Sequence, residues 1–140
     1  MKSNLKNVVL TAILVFSTNV FAEISVIVHP SNEAALSKKA ASKIFLGKSK
    51  KFADGGSAIP IEQADGSSSR KAFHAGITQK KSSQLKAYWS RIIFTGKGQP
   101  PKEVSDDAAV IALVSKDPKM IGYVDSASVN DSVKVVLTAP

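Results

Sequence analysis

The sequence predicts one α/β domain, three-layer-like, around a small sheet that is mainly parallel or mixed. Three observations lead there. Runs rich in β-branched residues are interleaved with stretches whose apolar residues recur at helical spacing, in the order β-α-β-α-α-α-β-β, and interleaving of that kind places helices on the faces of a sheet. The chain has 140 residues, of which the first 22 read as a leader, and the remaining 118 suffice for one core but not for a second lobe of ordinary size. There is no cysteine, so packing rather than disulfides must hold the fold.

The leader reading rests on three consecutive features. Lys2 and Lys6 supply a positive end, residues 8–15 are apolar apart from Thr11, and Val20-Phe21-Ala22 offers small or tolerated residues where a signal peptidase reads, which places the cut before Glu23. The competing reading is a membrane anchor, which needs roughly 20 apolar residues. Ser17, Thr18 and Asn19 interrupt the run first. The expected organisation is therefore a cleaved signal peptide over 1–22 and one domain over 23–140, acting outside the cytoplasm without a stable membrane anchor. That domain keeps 17 of the 19 basic residues and all 11 acids, a formal charge of +6. Such a field favours anions without choosing among them, and it equally serves solubility.

Each element has its own signal. Residues 23–29 read as a buried strand, with Ile24, Val26, Ile27 and Val28 closed by Pro30. Ser31 or Asn32 can cap a helix whose stripe is Leu36, Ala40 and Ile44 with Ala41 and Phe45 beside it, ending near Gly47. Residues 48–57 are polar and Gly-rich, hence loop, and residues 58–63 form a short strand entered through Pro60. A turn over 65–69 leads into a helix over 70–77, where Phe73 and Ile77 share a face. Ser82 or Ser83 starts a third helix with Leu85, Trp89, Ile92 and Ile93 toward the core. Gly96 ends that helix, and residues 96–101 form a rigid basic loop. Ser105 is expected to cap a fourth helix, with Asp106 and Asp107 in its first turn and Val110, Leu113 and Val114 inward. Strands over 120–124 and 132–137 follow, the second alternating Val133, Val135 and Leu137 with Lys134 and Val136.

The segment best suited to chemistry is residues 59–73: strand, tight turn, three hydroxyls, helix. The first turn of a helix leaves N–H groups unpaired and carries partial positive charge, so small hydroxyl residues there can hold an oxyanion. Ser67, Ser68 and Ser69 would add donors. Asp65 beside them would repel a fully ionised ligand but accept a hydrogen bond from one that keeps a proton, as phosphate does near neutral pH and sulfate does not. The competing reading is a plain Asx turn followed by an N-cap.

These residues resemble a known family. Gln63-Ala64-Asp65-Gly66-Ser67-Ser68-Ser69-Arg70-Lys71-Ala72-Phe73 looks like the anion-binding turn of periplasmic phosphate-binding proteins, Arg-x-Asp-Gly-Ser-Gly-Thr followed by a helix containing Phe. In order along the chain, residues 24–32 resemble the strand that the family follows with an Asn-containing turn. Residues 43–48 resemble its Ile-Phe-x-Gly-Lys helix end, and Ile121-Gly122-Tyr123 its Ile-Gly-Tyr strand. The resemblance implies one lobe of a type 2 periplasmic binding protein, the later of two. It also implies a non-enzymatic, periplasmic solute-binding role linked to phosphate ABC transport, and phosphate or a related oxyanion as ligand.

The implied site residues are Gln63, Asp65, Gly66, Ser67, Ser68, Ser69 and Arg70. Gln63 stands where the family has Arg, which keeps a donor and loses a charge-assisted bond of ~1.5 to 3 kcal/mol, roughly 10- to 150-fold in affinity. Ser68-Ser69 replaces Gly-Thr, and Arg70 or Lys71 could return the charge. A lone lobe covers little of a small ligand. The implied partners are thus an envelope or transporter protein, or a second copy that completes the cleft. The alternative function is an exported interaction module that has lost the ligand. His29 and His74 lack a convincing third ligand for zinc, no Gly-x-Ser-x-Gly elbow occurs, and neither a cofactor nor nucleic acid is expected.

Overall fold

The computed structural model describes residues 23–140. The signal peptide expected over 1–22 lies outside the described residues.

Five strands form one mixed sheet in the order β3-β2-β4-β1-β5. They are β1 (Ile24–Val28), β2 (Ile59–Gln63), β3 (Lys102–Val104), β4 (Met120–Asp125) and β5 (Lys134–Ala139). β2 runs parallel to β3 and β4, whereas β1 runs antiparallel to β4 and β5. The α/β layered architecture expected from the sequence is the one observed, in its mixed-sheet form.

β1 is buried along its whole length because helices cover both faces of the sheet. Ile24, Val26 and Val28 point to one face, where they meet Ala41, Ile44 and Phe45 of α1 (Lys38–Phe45) and Phe73 of α2 (Ser68–Phe73). Ile27 points to the other, where it meets Val110, Ile111 and Val114 of α4 (Asp107–Val114). The helix expected over 70–77 is two pieces: α2 passes into a π turn, His74–Thr78, which still brings Ile77 into the same core as Phe73.

α3 (Ser82–Phe94) lies outside these layers. It buries Leu85 and Trp89 and ties to the end of α1 through the Tyr88 hydroxyl, which donates to Leu46 O at 2.6 Å.

Several expectations need correction. α1 is capped by Ser37, whose hydroxyl accepts from Ala40 N at 3.1 Å, and Asn32 instead closes a local turn onto Ala34 N. α4 is capped by Asp106, accepting from Ala109 N at 2.9 Å, and not by Ser105. In α4 the Asp106 carboxylate adds a negative charge to the capping bond, which the positive end of the helix favours. β3 was hidden because Lys102 and Glu103 carry no apolar signal; its order comes from pairing with β2. Ile93 faces water at 46% exposure and Ile92 is half-buried, because α3 rests on the body only through its Leu85 and Trp89 side. In β5 a register shift opposite Val26 and Ile27 breaks the alternation, leaving Val135 exposed and Val136 and Leu137 packed on the core.

Candidate functional site

β2 ends at Gln63, and the chain turns over residues 64–67. The turn closes with Ser67 N–H donating to Ala64 O at 3.1 Å. Its third residue, Gly66, has φ 91°, a backbone angle that side chains disfavour and that this turn requires. Ser67 then caps α2, its hydroxyl accepting from Arg70 N at 3.2 Å.

The same hydroxyl donates to Gln63 Oε1 at 2.7 Å. Gln63 is 2% exposed, and its Nε2 donates to Asp107 Oδ1 at 2.6 Å and to Tyr123 O at 3.0 Å, which uses both amide hydrogens. Ser69, also buried, donates to Asp107 Oδ1 at 2.9 Å. On the other oxygen, Asp107 Oδ2 accepts from Asp125 N at 3.1 Å and from the Ser128 hydroxyl at 2.8 Å. One carboxylate thus takes four donors from four elements: β2, α2, the end of β4 and the short 3-10 turn Ser126–Ser128. The cluster sits at the carboxyl ends of β2 and β4, the edge of an open α/β sheet where ligands generally bind.

The residues singled out from the sequence therefore fall into three groups. Gln63, Ser67 and Ser69 turn inward around Asp107. Asp65, Gly66 and Ser68 lie exposed on the outside of the turn, where the first-turn N–H groups of Ser68 and Ser69 are the orphan donors of α2. Arg70 is a clamp: its Nη1 donates to Gln63 O at 2.7 Å and to Glu103 Oε1 at 2.8 Å, tying α2 to β2 and β3. Burial opposes that charge. The bond to Glu103 and the nearby Glu62, Tyr123 and Glu103 outweigh it, so the guanidinium lies above its ordinary pKa.

Sequence reasoning missed Asp107 as a hub, having read it as a favourable first-turn acid. The available signal was the doubled Asp106-Asp107, since one helix needs only one cap.

It also missed a buried polar cluster directly behind the turn. Glu62, His74 and Tyr123 are 3%, 2% and 0% exposed. Tyr123 donates its hydroxyl proton to Glu62 Oε1, and His74 Nε2 lies 2.9 Å from Glu62 Oε2. His74 Nδ1 meets the Thr78 hydroxyl at 2.7 Å. The same hydroxyl also lies 3.3 Å from His74 O, so Thr78 holds the imidazole against its own helical turn. Burial first, then the charge of Glu62 and the hydrogen bond to it, push the Tyr123 phenol far above its usual pKa. Phe73 stacks on the Tyr123 ring at 4.1 Å and seals the cluster. Among the described residues, no group of three or more His, Asp or Glu is arranged to hold a metal ion.

No family model and no curated protein matches the chain. Solved structures do share its fold. A phosphate ABC transporter substrate-binding protein with bound phosphate, from Clostridium perfringens, superposes with TM-score 0.63 at 23% identity, over 82% of this chain and 45% of that one. An ABC-type phosphate transport receptor from Vibrio cholerae gives 0.63 at 15% identity, over 82% and 46%. PstS from Borrelia burgdorferi gives 0.60 at 16% identity, over 83% and 47%. The chain thus spans about half the length of each, with the fold of a single lobe of a periplasmic-binding-protein-like domain.

Proposed function

We propose that this chain is an exported, periplasmic, non-enzymatic recognition lobe that binds phosphate or a related oxyanion at the turn over residues 63–70. The observation that carries this reading is the cradle around Asp107. Four donors, Gln63 Nε2, Ser69 Oγ, Asp125 N–H and Ser128 Oγ, already surround one carboxylate at the ligand-binding edge of the sheet. A set of donors preorganised around one oxyanion suits another. Phosphate enters as the half-buried Asp107 side chain swings toward water. Ser68 and the first-turn N–H groups of α2 then reach its outer oxygens, and Asp65 accepts its remaining proton. The single lobe leaves one side of the ligand open, so an envelope or transporter protein, or a second copy, supplies the other wall.

Titration calorimetry of the chain from Glu23 with phosphate and sulfate tests this. Asp107→Ala removes the internal competitor and should bind phosphate at least about ten-fold more tightly than the parent, since an occupied site taxes affinity by its occupancy. Asp65→Ala should bind phosphate and sulfate more equally. Unchanged discrimination would remove the assigned role of Asp65. No phosphate binding by parent or Asp107→Ala would exclude the cradle as a ligand site.

A second reading, an interaction module without a ligand, is favoured by one observation: Gln63, Ser67 and Ser69 are satisfied internally, so the turn holds its shape empty. Only the first reading predicts that millimolar phosphate raises the melting temperature.

A further inference from the structure

Residues 80–102 carry Lys80, Lys81, Lys86, Arg91, Lys97 and Lys102 and no acid, while the other described residues balance at 11 cations against 11 acids. The +6 charge of residues 23–140 is therefore matched by this one segment: Lys86 and Arg91 on α3, Lys80 and Lys81 just before it, Lys97 in the loop after it and Lys102 at the start of β3. Among the described residues, none of these six cations has a carboxylate partner within 4.0 Å; the Lys or Arg that does is Arg70, on Glu103. The inner side of α3 is fixed by Leu85, Trp89 and the Tyr88 hydroxyl. Its outer side exposes Ser83, Ala87, Ser90 and Phe94, spaced by four, three and four residues and hence one stripe along the helix.

Phe94 is 93% exposed, with Ile93 beside it at 46%. Three small side chains thus lead to one bare phenyl ring. Lys86 flanks that stripe on one side and Arg91 on the other, at the angular offsets helical spacing dictates.

We infer that the outer face of α3 docks the protein on an anionic lipid bilayer, with Phe94 and Ile93 entering the headgroup layer and Lys86, Arg91 and Lys97 on the phosphates. The complementarity is both electrostatic and geometric. An unpaired block of cations matches a negatively charged membrane surface, and a face of small residues with one projecting ring is made to lie on a plane. Long Lys and Arg stems let their charges reach headgroups while the apolar tip sits deeper. This inference stands independently of phosphate binding at the Asp107 cradle.

Vesicle sedimentation tests it, using the chain from Glu23. That segment contains every strand of the sheet and both cores, and it omits the apolar residues 8–15 that would partition by themselves. Vesicles of phosphatidylcholine containing about a third phosphatidylglycerol should bind the protein at least about ten-fold better than phosphatidylcholine alone. The difference should shrink as salt rises. Phe94→Ser should weaken binding about ten-fold with the urea midpoint unchanged, and Lys86→Glu with Arg91→Glu should abolish the preference for anionic vesicles. Equal binding to both vesicles, or a Phe94→Ser variant that binds like the parent, would overturn the inference. So would absence of binding at low salt, the result expected if the face instead served an acidic protein.

Discussion

Tyr123 carries its hydroxyl into a site closed to water, where it donates to Glu62 and accepts from Gln63 N–H at 3.1 Å. Its folded pKa is raised, so above about pH 10 the unfolded chain releases this proton while the folded chain keeps it. The unfolded state then binds fewer protons, and stability falls as pH rises. This phenol's contribution is fully present below about pH 10 and declines by about 1.4 kcal/mol per pH unit above it. Tyr123→Phe should cost about 1.5 to 3 kcal/mol at neutral pH, through loss of the bond to Glu62, yet shallow the alkaline slope. Urea midpoints of both proteins between pH 7 and about 11 check the sign. At this scale the sequence was only partly informative. Ser67 and Ser69 were singled out from the strand–turn–helix pattern and Gln63 from the family resemblance, but Asp107, the partner of Gln63 and Ser69, lies 44 and 38 positions away, and Tyr123 meets Glu62 across 61. Periodicity reports which side of an element faces inward and says nothing of which polar group waits there.

α4 and β4 show why one motif residue is fixed. Gly122 faces α4, and a Cβ built on it would stand 2.3 Å from Val110 Cγ1, with Val114 Cγ2 at 3.4 Å. Helix and strand can approach this closely only over a missing side chain. Gly122→Ala should force α4 outward and cost roughly 1 to 3 kcal/mol, seen as a lower melting temperature, and Val110→Ala in the same chain should recover part of the loss. Elements with a strong apolar period, β1, α3 and α4, were legible within a residue or two. β3 was not, because three residues led by Lys and Glu become a strand only through the neighbour they pair with. The π turn after α2 was also invisible, since Phe73 and Ile77 keep the same inward face in either helical form.

Across the whole molecule, both cores share β1 as their common wall: Ile24, Val26 and Val28 serve one and Ile27 the other. Neither face can open without exposing the other, so unfolding should be a single cooperative event. Trp89 fluorescence and far-ultraviolet circular dichroism should give coincident urea transitions, provided α3 melts with the sheet through its Leu85 and Trp89 contacts. An early fluorescence change would show that α3 detaches first. The sequence conveyed the layered α/β class through the alternation of element types, whereas strand order was beyond it. Nothing in the pattern of β1 says that both its neighbours come from residues 120–139. That order has a consequence for the birth of the chain. The first strand waits for partners made last, so almost every residue must be synthesised before either core can close. Until then the polypeptide is a slack thread, the one form in which a protein can be drawn end-first through a channel too narrow for its fold.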